Sequence, residues 1–442
     1  MRIAIVGASG YVGRRLAARL VEDGHGVVAI GRRAQSLPRG PGIEVRAAEV
    51  EVAYYLVHSM AGGAGFAARD LELARDFAAA SADAGVGRIV YLGALGAGAL
   101  SEHLASRQEV GTALAVTGIP VVELRAAVII GSGSTSFEML RYLTERLPFM
   151  VCPRWVRSTV QPIAERDLLD RLEEGLRLPP GVHEIGGDQA TTYRDMIQAY
   201  ARARGLRRRV ILDVPFLTPW LSAYWVDLVT PLDRSVTHAL VDSLRTDVVL
   251  RRAGPFQPSS LLSVDDAIEA ALDGQRKEVT TTLLEQCDGL QDGVYRKVDE
   301  VAVEPGAVQT VRDDLARGGG DLRWYGPARA WRLRLVLGRL MGEDLRLRRP
   351  AELVPGARLD WWQVGLAGSG SLVLRTDEWA VGEAWLGYAV LDEGTPRLRQ
   401  VVAFRPRGAG GLVYWITLKP VHRRVLRAMA RRRAVRPDRS SP

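Results

Sequence analysis

The sequence predicts a doubly wound parallel α/β sheet followed by an α+β domain. Three observations carry this. The opening stretch MRIAIVGASGYVGRRLAARLVEDGHGVVAIGRR reads as strand, tight turn, helix, strand. The chain has 442 residues, too many for one core, so more than one domain is expected. From Val294 onward short strand-like runs follow one another, spaced by turns and rich in tryptophan.

In the opening stretch Ile3, Ile5 and Val6 make a buried strand, and Leu16, Leu20 and Val21 continue the apolar face of the helix. Between them Gly7, Gly10 and Gly13 form G-x-x-G-x-x-G. The first glycine permits a sharp turn, the second a close backbone approach to a pyrophosphate, and the third tight helix-on-strand packing. The free N–H groups at the helix start then face the phosphates. Gly7, Ser9, Gly10, Tyr11, Val12 and Gly13 are thus the candidate pyrophosphate-binding residues. The second strand ends in Arg32-Arg33 where an acid would grip a ribose 2′-hydroxyl. Arginine pairs with a 2′-phosphate, so NADP(H) is expected over NAD(H).

Composition narrows the function classes. Hydrophobic content of 47% and charged content of 25% are those of a soluble globular protein. Two cysteines, Cys152 and Cys287, cannot make a disulfide framework, which points to a reducing cytosol. No signal peptide is expected, since the strand at Arg2-Ile3 is not preceded by an apolar h-region in this sequence. The run PFLTPWLSAYWVDLVTPL, residues 215–232, is short for a membrane span and carries Pro219, Asp227 and Pro231; it reads as a lid or interface helix. Net charge is +8, with much of the excess in HRRVLRAMARRRAVRPDR, residues 422–439. Arginines in the last turns of a terminal helix complement its dipole. No nucleic-acid motif accompanies them, so nucleic acid is not expected, and weak association with a membrane surface stays open. Six scattered histidines argue against a metal site.

The chain resembles an atypical short-chain dehydrogenase/reductase of the NAD(P)H-binding, NmrA-like branch, joined to a C-terminal domain of unknown function. The residues that carry the resemblance are GASGYVG at 7–13, YYLVHSM at 54–60, RIVYLGALG at 88–96 and ELRAAVIIGSGSTSFEMLR at 123–141. PRWV at 153–156, QPIAERD at 161–167 and WLSAYWVDLVTP at 220–231 extend it. The resemblance implies a Rossmann-type sheet and NAD(P)H binding. It also defines where this chain departs. Typical members use a serine at the end of strand five and a Tyr-x-x-x-Lys pair on the next helix. Here the serine register is Gly93-Ala94, the tyrosine register His103 and the lysine register Arg107. Arg107 suits a fixed donor to the nicotinamide ribose but does not deprotonate. His103, with an unperturbed pKa of about 6.5, is the candidate general acid, with water as the alternative proton source. His58 and Ser59 end strand four on the ligand-binding edge and, with Gly93, join the candidate cofactor lining.

A second departure is one of length. IEVRA at 43–47 lies almost against the strand AYYLVHS, leaving too little chain for a crossover of about a dozen residues. The third strand-helix unit is therefore expected to be lost, with 34–51 as one long connection. Residues 1–280 are expected to form the cofactor domain, with a substrate-facing extension at about 142–280. There YRDMIQAYARARG should be a helix with Met196, Ile197, Tyr200 and Ala201 inward. A linker is expected near 273–292.

In the region 290–435, RLDWWQV, LVLRTDEWAV, EAWLGYAVL, RLRQVVAFRP and GLVYWITLKP read as strands. Ala384, Leu386, Tyr388 and Val390 share one face of the third, and Leu412, Tyr414, Ile416 and Leu418 one face of the last. ARAWRLRLVLGRLMG should be a helix before the strands, and 421–434 a helix after them. This order is similar to the START-like helix-grip fold, often built around an apolar cavity. The expected function is reduction of a hydrophobic carbonyl or quinone-like compound by NADPH. A non-catalytic NADP(H)-binding redox sensor or assembly factor is the alternative that the missing Ser-Tyr-Lys set favours.

Overall fold

The computed structural model describes residues 1–30, 43–44, 50–57, 65–96, 98, 100–214, 230, 234–244, 246–251, 261–285, 287–291, 293–317, 350, 352–359, 361–376, 381–392 and 394–435. The chain divides into two compact units, Met1–Leu272 and Asp273–Pro442.

The first unit is built on a parallel seven-stranded sheet. Its strands are β1 (Arg2–Val6), β2 (Gly26–Ile30), β3 (Ile43–Glu44), β4 (Val52–Tyr55), β5 (Arg88–Ala94) and β6 (Val121–Ala126), with β11 (Gly181–Ile185) at the far edge. Their order is β11-β6-β5-β4-β1-β2-β3. Helices α1 (Tyr11–Glu22), α2 (Phe66–Asp83) and α3 (Glu102–Leu114) follow β1, β4 and β5. One face of the sheet packs Leu16, Leu20, Leu168 and Leu172 against Ile3, Ile5, Val90 and Leu124. The other packs Ala74, Ala78, Val110 and Leu114 against Tyr55, Ile89 and Tyr91. Each fully buried leucine or isoleucine contributes about 2 kcal/mol. Because both faces are covered, the strands read as apolar runs rather than alternating ones.

The expected loss of the third strand is corrected. Ile43 and Glu44 pair parallel with Val27 and Val28, at the usual outer edge of β2. Two residues suffice for such a pairing, because an edge strand needs a partner on one side only. Seven positions separate Glu44 from Val52, so the chain is still short for a crossover helix at that point.

The rest of this unit is the extension. It holds β7 (Ile129–Ile130), α4 (Thr135–Arg146), β8 (Phe149–Pro153), β9 (Thr159–Val160), β10 (Ile163–Ala164) and α5 (Glu165–Glu174). Beyond β11 come β12 (Thr191–Thr192), α6 (Tyr193–Ala203), β13 (Val210–Val214), α7 (Arg234–Ser243) and α8 (Val264–Thr282). Short two-stranded pairs β10-β7, β12-β9 and β13-β8 tie the helices together. In α6, Met196, Ile197, Tyr200 and Ala201 are all buried, as the helical period predicts. Met196, Ile197 and Tyr200 pack with Phe137, Leu140, Val241 and Ile268. The apolar run 215–232 lies outside the described residues except for Thr230.

The expected linker near 273–292 is replaced in its first part by helix. The division between the units falls inside α8, which continues to Thr282. An Asp273–Lys277 ion pair at i,i+4 and the buried Val279 support that continuation.

The second unit is an antiparallel seven-stranded sheet. Its strands are β14 (Gly289–Gln291), β15 (Val294–Ala302), β16 (Arg358–Leu359), β17 (Trp362–Gly368), β18 (Ser371–Thr376), β19 (Gly382–Leu391) and β20 (Arg397–Pro406). The order is β14-β15-β20-β19-β18-β17-β16. Val279 and Leu283 pack on one face with Trp385, Val373 and Val401. Helices α9 (Val308–Arg317) and α10 (Gly408–Val435) supply Val311, Leu315 and Met429 to the other. Leu386, Tyr388 and Val390 share that second face, as their alternation predicts.

GLVYWITLKP, expected as a strand, is the first part of α10. Both neighbours of β20 are already taken by β15 and β19. A strand following β20 would have had only a sheet edge to join. As a helix the run stacks Trp415 on Phe404, with ring centroids 5.1 Å apart, and continues into the buried Met429 and Ala430. The helix expected at 421–434 is the second part of the same element. The helix expected at ARAWRLRLVLGRLMG lies outside the described residues. Among the described residues, no helix is long and apolar enough to cross a membrane.

Candidate functional site

The strand order reverses between β1 and β4, and ligands of such sheets bind beyond the strand ends at that point. Gly7 ends β1 with φ +92°, and a Cβ there would lie 2.9 Å from the Leu56 carbonyl oxygen. A Cβ on Gly13 would lie 2.2 Å from the Gly7 carbonyl oxygen, so α1 can sit on the turn only without one. Gly10 precedes α1, which has no side-chain cap and no acidic residue in its first turn. The first N–H groups of a helix have no internal acceptor. The turn and the helix start therefore fit a pyrophosphate: the space is kept clear by glycine, the donors are backbone and the first turn of α1 has no carboxylate to oppose the charge.

A brace behind this turn was not legible in the sequence. Tyr11 Oη donates to Glu165 Oε2, and Arg15 Nε donates to Glu165 Oε1 at 2.8 Å. Arg15 Nη2 donates to the Ser132 carbonyl at 2.6 Å, and its guanidinium lies 4.3 Å from the Tyr11 ring centroid. Glu165 belongs to QPIAERD, a stretch that stood out by resemblance, but no local rule links it to Tyr11.

A continuous cavity of about 1570 Å³ joins the elements of the site. It is lined by Gly7, Ser9, Gly10, Tyr11, Val12 and Gly13, and also by Gly93, His103 and Arg107. The same cavity extends to an apolar chamber in the extension, bounded by Met139, Leu143, Leu147, Met196, Leu240 and Leu244. The structure thus brings together nine of the residues singled out in the sequence. Arg32, Arg33, His58 and Ser59 lie outside the described residues.

The three departures from the usual catalytic set have physical causes. A Cβ on Gly93 would lie 2.7 Å from Glu123 Oε1. Glu123 is buried on β6 and ion-paired with Arg125, Nε to Oε1 2.7 Å. A serine at Gly93 would therefore collide with a carboxylate held in place. Arg107 is buried; it donates from Nη1 to the Val57 carbonyl at 3.1 Å and from Nη2 to the Leu92 carbonyl. Its guanidinium lies 5.0 Å from the Tyr91 ring centroid. It clasps the ends of β4 and β5 beside the cavity.

His103 differs from expectation. Burial, then the Arg107 charge, pulls its pKa down to about 4. The α3 start is capped by Ser101, whose Oγ accepts from Leu104 N at 3.3 Å, and the imidazole packs 6.4 Å from Phe66, ring centroid to centroid. At pH 7 the neutral imidazole therefore predominates. The expectation of an imidazolium acid near neutrality is therefore corrected, because the burial that places the ring at the cavity also removes its charge. Cys152, also on the cavity, is pushed up to about 11 by burial, and the Tyr193 phenol is raised by burial as well. Both are neutral at pH 7. Among the described residues, no group of three His, Cys, Asp or Glu side chains could hold a metal ion.

One pH prediction follows from His103. Its folded pKa lies below its unfolded value, so the native state resists protonation. The stability contribution is full above about pH 6.5 and declines as pH falls toward 4, by on the order of 3 kcal/mol. His103→Gln should flatten that part of the acid-unfolding curve measured by denaturant melts from pH 7 to 4. An unchanged slope would show that His103 titrates normally.

A family model described as NAD(P)H-binding matches residues 7–116. A second, described as a protein of unknown function (DUF2867), matches residues 290–429. No curated protein matches the chain. Among solved structures, UDP-N-acetylglucosamine 4-epimerase from Bacillus cereus is 16% identical, with TM-score 0.40, over 55% of this chain and 99% of that one. The human epimerase family protein SDR39U1 (isoform 2), solved with NADPH, is 17% identical, with TM-score 0.44, over 62% of this chain and 99% of that one. WbmG of Bordetella bronchiseptica, solved with NAD and UDP, is 17% identical, with TM-score 0.40, over 58% and 99%. Likenesses this distant say nothing of substrate. The chain carries an NAD(P)H-binding domain at its N-terminus and a DUF2867 domain, of unknown function, at its C-terminus.

Proposed function

We propose that this protein is a cytosolic NADP(H)-dependent reductase of a hydrophobic, quinone-like compound. One observation carries the reading: the cavity lined by the dinucleotide turn continues into an apolar chamber, and His103 and Cys152 on its wall are both neutral at pH 7. Bound NADPH supplies a hydride. Reducing an isolated ketone leaves a strongly basic alkoxide, which needs a general acid beside it. A quinone becomes a phenolate, a group with a pKa of about 10, and water can protonate that. His103, neutral and packed on Phe66, is suited to walling the ring of such an acceptor. Arg107 holds the floor of the site by its two backbone contacts. The preference for NADP(H) rests on Arg32-Arg33 in the sequence. The C-terminal unit, an antiparallel sheet with a long terminal helix, is read as a variant of the helix-grip fold.

The second reading is a non-catalytic NADP(H)-binding sensor or assembly factor. The specific observation favouring it is that Arg107, in the lysine register, directs its donors to Val57 and Leu92 carbonyls. Both readings meet in one experiment. NADPH and NADH are titrated against the protein, and NADPH oxidation is then followed with a panel of quinones and lipophilic ketones. The expected result is tighter NADPH binding, weakened by Arg32→Asp, and turnover with quinones but not ketones. A contact of this charge-assisted kind is worth about 1.5–3 kcal/mol. Binding without turnover on any acceptor would select the sensor; turnover of ketones would show that an acid has been overlooked.

A further inference from the structure

Helix α10 carries seven lysines and arginines from Lys419 to Arg433 and no acidic residue. Its inner face is filled by Trp415, Met429, Ala430 and Ala434, all buried on the sheet side. Its outer face holds Val413, Ile416 and Val421, exposed at 59%, 60% and 55%. Pro420 lies between them at the same helical spacing, and Arg424 and Arg431 prolong that face toward the C-terminus. An aliphatic stripe thus leads into a cationic one on a single side of one helix.

The neighbouring carboxylates neutralise only part of this charge. Arg433 is ion-paired with Asp314 beneath the helix, at 2.9 Å. Arg423 and Arg427 act on Asp288 and Asp299 through space. Asp288 is itself paired with Lys297 at 3.0 Å. Lys419, Arg424 and Arg431 make no ion pair with a described residue.

We propose that the outer face of α10 is a docking surface for an anionic lipid bilayer. Exposed aliphatic side chains beside arginines on one helix face are what an interfacial helix needs: the first enter the acyl boundary and the second meet the headgroups. Nucleic acid would engage the arginines but would gain nothing from Val413, Ile416 and Val421. The stretch 318–349 of this chain contains eight arginines against three acidic residues, so its charge repels rather than complements that of α10. The inference is independent of the reductase reading.

The test is co-sedimentation of the full chain with vesicles of phosphatidylcholine alone and of equal parts phosphatidylcholine and phosphatidylglycerol. Binding is expected to the second only, and to weaken as salt rises. Arg424→Glu with Arg431→Glu should lower it by at least about tenfold. Val413→Ser with Ile416→Ser and Val421→Ser should also lower it, with an unchanged melting temperature, because these side chains face solvent. The proposal fails if neutral and anionic vesicles bind alike, or if neither variant changes binding. It fails equally if the serine variant melts well below the parent, since the stripe would then be packed within the protein. Competition by a duplex oligonucleotide, with the serine variant still binding vesicles normally, would assign the face to nucleic acid instead.

Discussion

Gly13→Ala is expected to abolish NADPH binding and to destabilise the N-terminal unit. The added methyl would stand 2.2 Å from the Gly7 carbonyl oxygen and 2.8 Å from the Ala8 Cα. Both are backbone atoms of the phosphate-binding turn and cannot rotate aside. Relief requires α1 to lift from β1 and the turn to open. Overpacking in a tight core costs about 1–3 kcal/mol, and a backbone collision belongs at the upper end. Cofactor affinity should suffer more than stability, because the N–H groups of α1 must point at one place to hold a pyrophosphate. Gly26→Ala is the control: its nearest neighbour would be a side-chain carbon at 3.8 Å, an ordinary contact. NADPH titration and thermal melting of the two variants separate the effects. A Gly13→Ala protein that bound NADPH like its parent would show that this turn is not the cofactor site.

The largest stability effect in the C-terminal unit is expected from Glu383→Leu. Glu383 and Arg405 are 3% and 2% exposed and form a buried ion pair. Gln275 also accepts from Arg405, and Arg276 Nε donates to Glu383 at 2.8 Å. Removing the carboxylate leaves the Arg405 guanidinium buried against Trp385 without its counter-charge. Breaking such a pair costs about 3–5 kcal/mol. For a unit of this size that is a fall of roughly 10 °C in Tm. Glu383→Leu combined with Arg405→Met should be milder than Glu383→Leu alone, since the fully buried guanidinium is then gone as well and only the partly exposed Arg276 has lost this carboxylate. Calorimetry of the single and double variants checks this; a double variant less stable than the single one would mean that the pair stabilises by more than charge balance.

Some of this molecule was legible because its causes are local. The strand-turn-helix-strand opening is written in adjacent residues: three glycines at fixed spacing between an apolar strand and an apolar helix face. The inward face of α6 follows from the 3.6-residue period, and that of β19 from the period of two. In each case neighbours within a few residues decide the outcome.

Other features depend on partners far away in the chain. GLVYWITLKP satisfies both the strand and the helix period, so its state was decided by β15 and β19 having already occupied the edges of β20. Ile43 and Glu44 form a strand because β2 offers them an open edge, which no local pattern announces.

The sequence by itself determined the dinucleotide turn, the division into an α/β and an α+β part, and the absence of the usual serine, tyrosine and lysine. Only the tertiary structure decided what those absences mean. Glu123, thirty positions from Gly93, excludes a side chain there. Glu165 reaches Tyr11 across 154 positions to brace the turn. The partial burial of His103, beside Arg107, lowers its pKa below the usual imidazole range. Steric exclusion and desolvation depend on what surrounds a group in space, and a one-dimensional pattern records only what precedes and follows it.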